Sequence, residues 1–261
     1  MAFDFFSAVL LGIIQGITEW LPISSKSQVT LTGTWLGLPP ANAFGIAIFL
    51  HIGTVLAAIW FFRKDIAEIL QMKNKPLLKF ILIALIGTAI TGIPAYFITK
   101  NALLANAFII TLVVGIFLVL SGVLQLYSQR KKKAKRDACN ELTNKNGFVL
   151  GLCQGLAGLP GVSRSGITVS ALMLESFSPE HAFRISFLLS IPSVIGLQII
   201  MAAFDPVVFS AELLAGTVAA FIFGLGSLHV LMQLAKRISF GWFAILFGIL
   251  YIILAGAGFF V

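Results

Sequence analysis

The chain has 261 residues, of which 59% are hydrophobic and only 11% are charged. Soluble domains carry about 25% charged residues, so this composition excludes an ordinary soluble protein and predicts an all-α polytopic membrane protein. The net charge of +8 would suit a nucleic-acid partner, but lysines and arginines kept in cytoplasmic loops explain it, and no nucleic-acid binding is predicted.

The chain begins with an apolar run that is too short to cross a membrane comfortably. Residues 5–21 are helix-like, but at about 1.5 Å per residue they fall short of a hydrocarbon core of roughly 30 Å. A polar segment from Pro22 and a short run at 29–36 follow. This pattern predicts a re-entrant hairpin, whose irregular backbone must lie beside protein or a water-filled cavity.

Three full spans follow this hairpin, and the second half of the chain repeats the plan. A short apolar helix at 147–159 leads to the segment G-V-S-R-S-G and to a return helix from about Ile167. Basic residues that follow alternate spans predict cytoplasmic loops, above all the run from Arg130 to Arg136. The six predicted spans are 43–62, 80–98, 106–127, 182–203, 212–234 and 240–260, with a turn at Asp205–Pro206 and basic residues at Lys236 and Arg237.

The two halves align as an internal repeat. The segment S-K-S at 25–27 matches S-R-S at 163–165, and F-L at 49–50 matches F-L at 187–188 with the same separation. Because three spans per half is an odd number, the second half is inverted. The predicted fold is one membrane domain over 1–261 with six transmembrane helices, two re-entrant helical hairpins and an inverted-topology repeat. Repeat one covers about 1–127, a basic loop 128–146, and repeat two about 147–261.

The two hairpin tips predict one polyanion site where they meet. Arg164 offers a planar fork suited to phosphate oxygens, Lys26 adds a point charge, and helix termini add backbone N–H groups. The alternative is that the small residues only let helices approach and that Arg164 reaches a lipid head group. The predicted substrate-binding residues are Gln15, Ser24, Lys26, Ser27, Gln28, Ser163, Ser165, Gly166 and Thr168.

Glu19 is the carboxylate of the first hairpin. It could act as a general base, a metal ligand or an ion-pair partner. One carboxylate specifies a metal weakly, because hard cations take several oxygen ligands, although a phosphate can supply the others.

The segments E-W-L-P-I-S-S at 19–25 and P-G-V-S-R-S-G at 160–166 together resemble the undecaprenyl pyrophosphate phosphatase family, also called UppP or BacA. The resemblance covers nearly the whole chain. It implies a multi-pass enzyme of the plasma membrane that removes the terminal phosphate of a polyprenyl diphosphate and so recycles the lipid carrier of surface glycans. It also implies Mg²⁺ or Ca²⁺ as cofactor, and a homodimer is compatible with it.

Carried over by position, the resemblance assigns Glu19, Ser25 and Arg164 as catalytic, with Ser25 as the nucleophile and Glu19 as the only candidate metal ligand. The sequence departs from the bacterial pattern in two places: Gln15 replaces a glutamate, and K-S-Q at 26–28 replaces T-G-H. The variant resembles that of archaeal relatives, whose carrier lipids would be dolichol-like. In the resulting hypothesis Arg164 and Lys26 hold the diphosphate, Ser25 or a water attacks, and Glu19 accepts the proton, while Lys26 replaces part of a metal's charge.

Two other function classes stay open at this point. One is a polyprenyl-phosphate transporter or flippase without hydrolysis, since inverted repeats with broken helices are a transporter architecture. The other is a binding-only relative.

The sequence allows two roles for each of several further polar residues. His51 could replace the missing base or be a hydrogen-bonded core histidine, and Arg184 could contact phosphate or lie at the interface. Gln15 and Gln154 could line the site or pair with each other. The remaining residues are predicted to be structural or bystanders: His181, His229, Cys139 and Cys153.

Overall fold

The computed structural model describes residues 4–103, 107–130, 142–204, 209–234 and 240–257. All regular structure in these ranges is helical, which confirms the predicted all-α class. In chain order the helices are α1 (Phe5–Thr18), α2 (Ser25–Trp35), α3 (Pro40–Phe61), α4 (Arg63–Leu70), α5 (Lys75–Leu103), α6 (Ala107–Arg130), α7 (Asn144–Gly155), α8 (Arg164–Leu174), α9 (Pro179–Phe204), α10 (Ala211–Leu234) and α11 (Gly241–Gly256).

Five of these helices, α3, α5, α6, α9 and α10, are long and apolar enough to cross a membrane, so the chain is a multi-pass membrane protein. The sixth predicted span corresponds to α11, which has 16 helical residues in the described part. Residues 258–261 lie outside the described residues, as do Cys139, the Asp205–Pro206 turn, the basic run from Lys131 to Arg136, and Lys236 with Arg237.

The two predicted polar loops are largely the first turns of helices. Ser25 and Arg164 are the first residues of α2 and α8, whereas the sequence pattern placed the second return helix near Ile167. The earlier start of α8 follows from capping, because the Ser163 hydroxyl accepts a hydrogen bond from the Gly166 N–H at 3.2 Å and so satisfies a free end group. The helix α4 was not predicted.

The short helices α1 and α7 pack in corresponding ways in the two halves. Helix α1 packs on α10, and α7 packs on α5. A Cβ added at Gly12 would lie 2.1 Å from the Gly216 carbonyl oxygen, and one at Gly151 would lie 2.0 Å from that of Ala84. Such close backbone approach admits only glycine.

One end of the bundle carries most of the described basic residues outside the site. The end of α3 and the starts of α5 and α11 meet at this end of the bundle. Phe62 after α3, Leu77 in the first turn of α5 and Phe240 before α11 belong to one buried apolar cluster. The positive-inside rule predicts that this end faces the cytoplasm. The basic residues here are Arg63, Lys64, Lys73, Lys75, Lys79, Arg130, Lys145 and Arg184.

Candidate active site

Both hairpins meet at the carboxylate of Glu19, which follows α1 and is buried, with 6% of its surface exposed. Its Oε2 accepts hydrogen bonds from the Ser25 hydroxyl at 2.6 Å and from the Gln15 amide at 2.9 Å. Its Oε1 accepts one from Arg164 Nη2 at 2.5 Å. Ser25 therefore has a hydrogen-bonded base within reach of its proton, which is the geometry of an activated nucleophile.

His51, in the middle of α3, is also part of this cluster. Its Nδ1 lies 2.6 Å from the Ala47 carbonyl oxygen, and its Nε2 lies 3.2 Å from Glu19 Oε2. Nδ1 therefore faces an acceptor, the Ala47 carbonyl, and Nε2 faces the Glu19 carboxylate. The sequence left open whether His51 is a base or a core histidine, and the predicted set did not include it; the structure places it in the site.

Only one of the two terminal nitrogens of the Arg164 guanidinium has a hydrogen-bond partner among the described residues. Nη2 binds Glu19, while Nη1 is buried and has no hydrogen-bond partner among the described residues. The guanidinium carbon lies 6.0 Å from the centre of the Trp20 ring. Leaving a buried charged donor unpaired is costly, so this nitrogen indicates the position of an anionic ligand.

Helices α2 and α8 both begin at the polar cluster around Glu19. Ser24, directly before α2, has φ 62° and ψ 81°, a left-handed conformation that costs a non-glycine residue roughly 1–3 kcal/mol. Its hydroxyl is 3.0 Å from that of Ser27. The strained turn lets α2 begin at Ser25, beside Glu19, and helix N-termini attract anions.

Lys26 supplies a second cation and joins the two hairpins. Its ammonium group donates to the carbonyl oxygen of Ala157, which belongs to the second hairpin. Its side chain also lines the same cavity as Arg164. The site therefore sets two cations against one carboxylate, a balance that favours a multiply charged anion.

These groups form the polar end of a cavity of about 320 Å³. The remainder of the wall is mainly apolar and comes from α3, α5 and α9. A charged head and an apolar body would fit such a cavity together. The apolar wall includes Phe44, Ile48, Leu85, Ala89, Ile93, Tyr96, Leu197 and Ile200.

The other predicted binding residues fall into two groups. Ser24, Ser163 and Ser165 line the cavity, and Gln15 stands behind Glu19. The rest lie outside the lining of this cavity and support it. Gln28 donates to the Ile23 carbonyl, Thr168 bonds to the Arg164 carbonyl and to Ser186, Gly166 packs on Gln125, and Ser27 contacts Ser24.

The remaining polar candidates lie elsewhere or bind to other groups. Arg184 pairs with Asp65 at the basic end, away from Glu19. Gln154 lines the cavity and donates to Thr88 at 3.0 Å and Ser193 at 2.6 Å, so it does not pair with Gln15. The other two histidines form hydrogen bonds with residues close in sequence, His181 with Ser178 and His229 with Gln233. Cys153 is a free thiol.

The donor set does not fit a divalent ion held by the protein. Among the residues that the structure describes, Glu19 is the only carboxylate of the cluster, and both its oxygens already accept hydrogen bonds. The described part of the chain contains no group of three or more His, Cys, Asp or Glu placed to hold a metal. Arg164 and Lys26 line the same cavity as Glu19 and supply positive charge there.

Comparison with known proteins gives one consistent match. A family model described as "Bacitracin resistance protein BacA" matches residues 8–256. The chain is 36% identical over 260 residues to a protein of Methanococcoides burtonii named "Undecaprenyl-diphosphatase", covering 94% of this chain and 96% of that one. Proteins with the same name from Methanothrix thermoacetophila and Sulfurisphaera tokodaii are 35% and 37% identical, covering 95% and 88% of this chain and 95% and 89% of theirs.

Proposed function

Because this chain belongs to the bacitracin resistance protein BacA family, we propose that it is a membrane phosphatase that hydrolyses a polyprenyl diphosphate to the monophosphate and phosphate. The carrying observation is the Ser25 hydroxyl, 2.6 Å from the buried Glu19 carboxylate and in the same cavity as Arg164, whose Nη1 has no partner among the described residues. A transporter needs neither a nucleophile nor a base. The names of the relatives support the same activity.

Substrate binding uses the two cations and the helix ends. Arg164 Nη1 and the Lys26 ammonium contact the terminal phosphate oxygens, and the N–H groups of α2 and α8 complete the cradle. The apolar wall of the cavity then receives the start of the prenyl chain. Charge neutralisation and positioning provide most of the rate enhancement, as in phosphoryl transfer generally.

The chemical step starts from the Ser25–Glu19 hydrogen bond. The Ser25 oxygen attacks the terminal phosphorus, and its proton passes to Glu19 Oε2. The bond from that phosphorus to the bridging oxygen breaks, and the polyprenyl monophosphate leaves. A water molecule then hydrolyses the phosphoserine and releases phosphate, with Glu19 returning its proton to Ser25.

The topology proposed from the sequence is supported by packing in both halves. The contacts of α1 with α10 and of α7 with α5 correspond in the repeat, as an inverted repeat of two hairpins and six spans requires. If the basic end is cytoplasmic, the cavity lies in the outer half of the membrane. We propose the plasma membrane as location and one domain with repeats at 1–127 and 147–261, joined by the loop 128–146.

We also propose the type of carrier lipid and a homodimeric assembly. The variant residues Gln15 and K-S-Q at 26–28 and the archaeal relatives favour a dolichol-like carrier. A homodimer is tested by the mass of the protein purified in detergent.

The function is tested by phosphate release from C55 and dolichyl diphosphate by purified protein. We expect release, and we expect EDTA to slow it by less than about tenfold, because two side-chain cations replace most of a metal's role in neutralising charge. Addition of Mg²⁺ or Ca²⁺ after EDTA is the control. Protein that binds the lipid without releasing phosphate would refute the phosphatase and favour the transporter or binding-only alternatives. A complete loss of activity in EDTA, restored by either ion, would refute the role of Lys26.

His51 is expected to position Glu19 rather than to contact substrate. Replacing His51 with Ala should lower kcat by about 10²-fold, within the range of a supported proton transfer, and leave KM within a few-fold. His51→Gln should recover part of kcat, because its amide can donate to Glu19. His229→Gln, at an exposed histidine bonded to Gln233, is the matched control. Equal loss in His51→Gln and His51→Ala would argue against positioning by a hydrogen bond.

A further inference from the structure

Gln125, a buried residue of α6, binds the tip of the first hairpin. Its Nε2 donates a hydrogen bond to the Pro22 carbonyl oxygen at 3.1 Å, and only 4% of the residue's surface is exposed. The two residues are 103 positions apart in the sequence, so this bond joins a transmembrane helix to the hairpin. Proline has no backbone N–H. The carbonyl oxygen is therefore the only backbone group of Pro22 that a hydrogen bond can hold.

This tip needs support from outside because it contains a strained residue. Ser24 has φ 62°, a left-handed conformation that persists in a non-glycine residue only where the surrounding structure imposes it. Ser24 stands between Pro22 and Ser25, the first residue of α2 and the proposed nucleophile. A displacement of the Pro22 peptide would therefore turn the start of α2 and move the Ser25 hydroxyl away from Glu19.

Packing alone does not explain a glutamine at position 125. While its nitrogen donates to Pro22, its Oε1 is buried and has no hydrogen-bond partner among the described residues. A buried acceptor without a partner is destabilising, and an apolar side chain of the same size would fill the space without that cost. The bond to Pro22 is the contact that only the amide provides.

Gly166 leaves the space that this amide occupies. A Cβ added at Gly166, in the first turn of α8, would lie 2.7 Å from Gln125 Nε2, too close unless the amide moves. The neighbouring Ser165 hydroxyl donates to the Leu21 carbonyl oxygen at 3.2 Å. The second hairpin therefore supports the tip of the first hairpin both through Ser165 and by leaving room for Gln125.

We propose that Gln125 is a positioning residue for hydrolysis, which holds the Pro22 peptide so that the Ser25 hydroxyl stays on Glu19, and that Gly166 is the residue that makes room for it. Gln125 does not line the cavity, so it acts through the hairpin backbone and not on the phosphate. The inference rests on the proposed function for its effect on the rate, whereas the hold on the tip does not depend on hydrolysis.

The test replaces Gln125 with Met, which keeps the length of the side chain and removes the donor. We expect kcat for C55 diphosphate to fall by about 10²-fold, the loss that a misplacement of about 1 Å in a reacting group produces. KM should stay within a few-fold, because Arg164 and Lys26 still bind the phosphates. The matched control is Gln198→Met, which should keep kcat: its amide also donates to a backbone carbonyl of another helix, that of Ile48.

Hydrogen exchange measured by mass spectrometry separates the hold on the tip from the rate. In Gln125→Met, the peptide that covers residues 20–28 should exchange about three- to tenfold faster, as for the loss of one hydrogen bond. Exchange elsewhere and the melting temperature should change little. Gly166→Ala keeps the amide but pushes it away from Pro22, so it should lower kcat and speed the same exchange. The double variant should lose little more kcat than Gln125→Met alone, because both changes break one interaction.

A normal kcat in Gln125→Met would overturn the positioning role, whatever the exchange shows. Losses that add in the double variant would overturn the role of Gly166. Since Gly166→Ala retains every hydrogen-bonding group, it carries the test if Gln125→Met does not fold. If the unsubstituted protein releases no phosphate, the phosphatase is refuted, and the exchange of residues 20–28 alone decides whether Gln125 holds the tip.

Discussion

Replacing Ser25 with Ala is expected to lower kcat for polyprenyl diphosphate hydrolysis by about 10³-fold or more, because it removes the attacking oxygen. The geometric reason is the 2.6 Å hydrogen bond from the Ser25 hydroxyl to Glu19 Oε2. KM should change little, since Arg164 and Lys26 still bind the phosphates. Phosphate release from the lipid measures the effect, and mass spectrometry of quenched protein tests for phosphorylation at Ser25.

The matched control for this change is Ser190→Ala. Ser190 is equally buried, but its hydroxyl bonds to the Phe187 carbonyl of its own helix. Its loss removes one buried hydroxyl without touching Glu19. If Ser25→Ala keeps more than a tenth of the activity, a water molecule attacks directly and Ser25 only orients it.

Much of this arrangement could be predicted from the sequence because membrane proteins constrain the pattern strongly. Five of the predicted spans correspond to helices long enough to cross, since an apolar run of about 20 residues has few alternatives. The repeated S-K-S and S-R-S segments predicted that two hairpin tips come together. Glu19 and Arg164 are 145 residues apart and in direct contact, which brings the two tips together.

The sequence could not predict which polar residues face the cavity. Serine is compatible with a loop, a cap and a first helical turn, so the start of α8 depended on the bond between Ser163 and Gly166. Thr168 was assigned to substrate but lies behind Arg164, bonded to its carbonyl. The sequence left His51 with two interpretations, a base or a core histidine, and only the packing of α3 beside the first hairpin brings its Nε2 to Glu19.

The cavity itself also depends on tertiary packing. The repeat predicts equivalent helix pairs, yet α3 packs closely against α10, whereas α9 makes far fewer contacts with α5. A sequence repeat carries no information on such an asymmetry. The polar cluster lies where the two hairpins meet, and its access depends on the difference between the halves.

Arg164→Ala is expected to lower kcat/KM by at least about 10³-fold, the lower range for an arginine that stabilises a transferring phosphoryl group. Nη1 of Arg164 has no partner among the described residues, so it can bind phosphate without giving up the bond from Nη2 to Glu19. Arg164→Lys should recover only a small part of the activity, because an ammonium group cannot contact phosphate and carboxylate as a planar fork does.

Loss of folding must be separated from loss of catalysis in this variant, because removing one partner of a buried ion pair costs about 3–5 kcal/mol. The double substitution Arg164→Ala with Glu19→Gln removes the unpaired charge and should restore the melting temperature without restoring activity. Arg184→Ala breaks the more exposed pair with Asp65 at the basic end and should keep full activity. An Arg164→Ala protein that melts normally and hydrolyses the lipid would refute the phosphate-binding role of Arg164, and phosphate binding would then fall to Lys26.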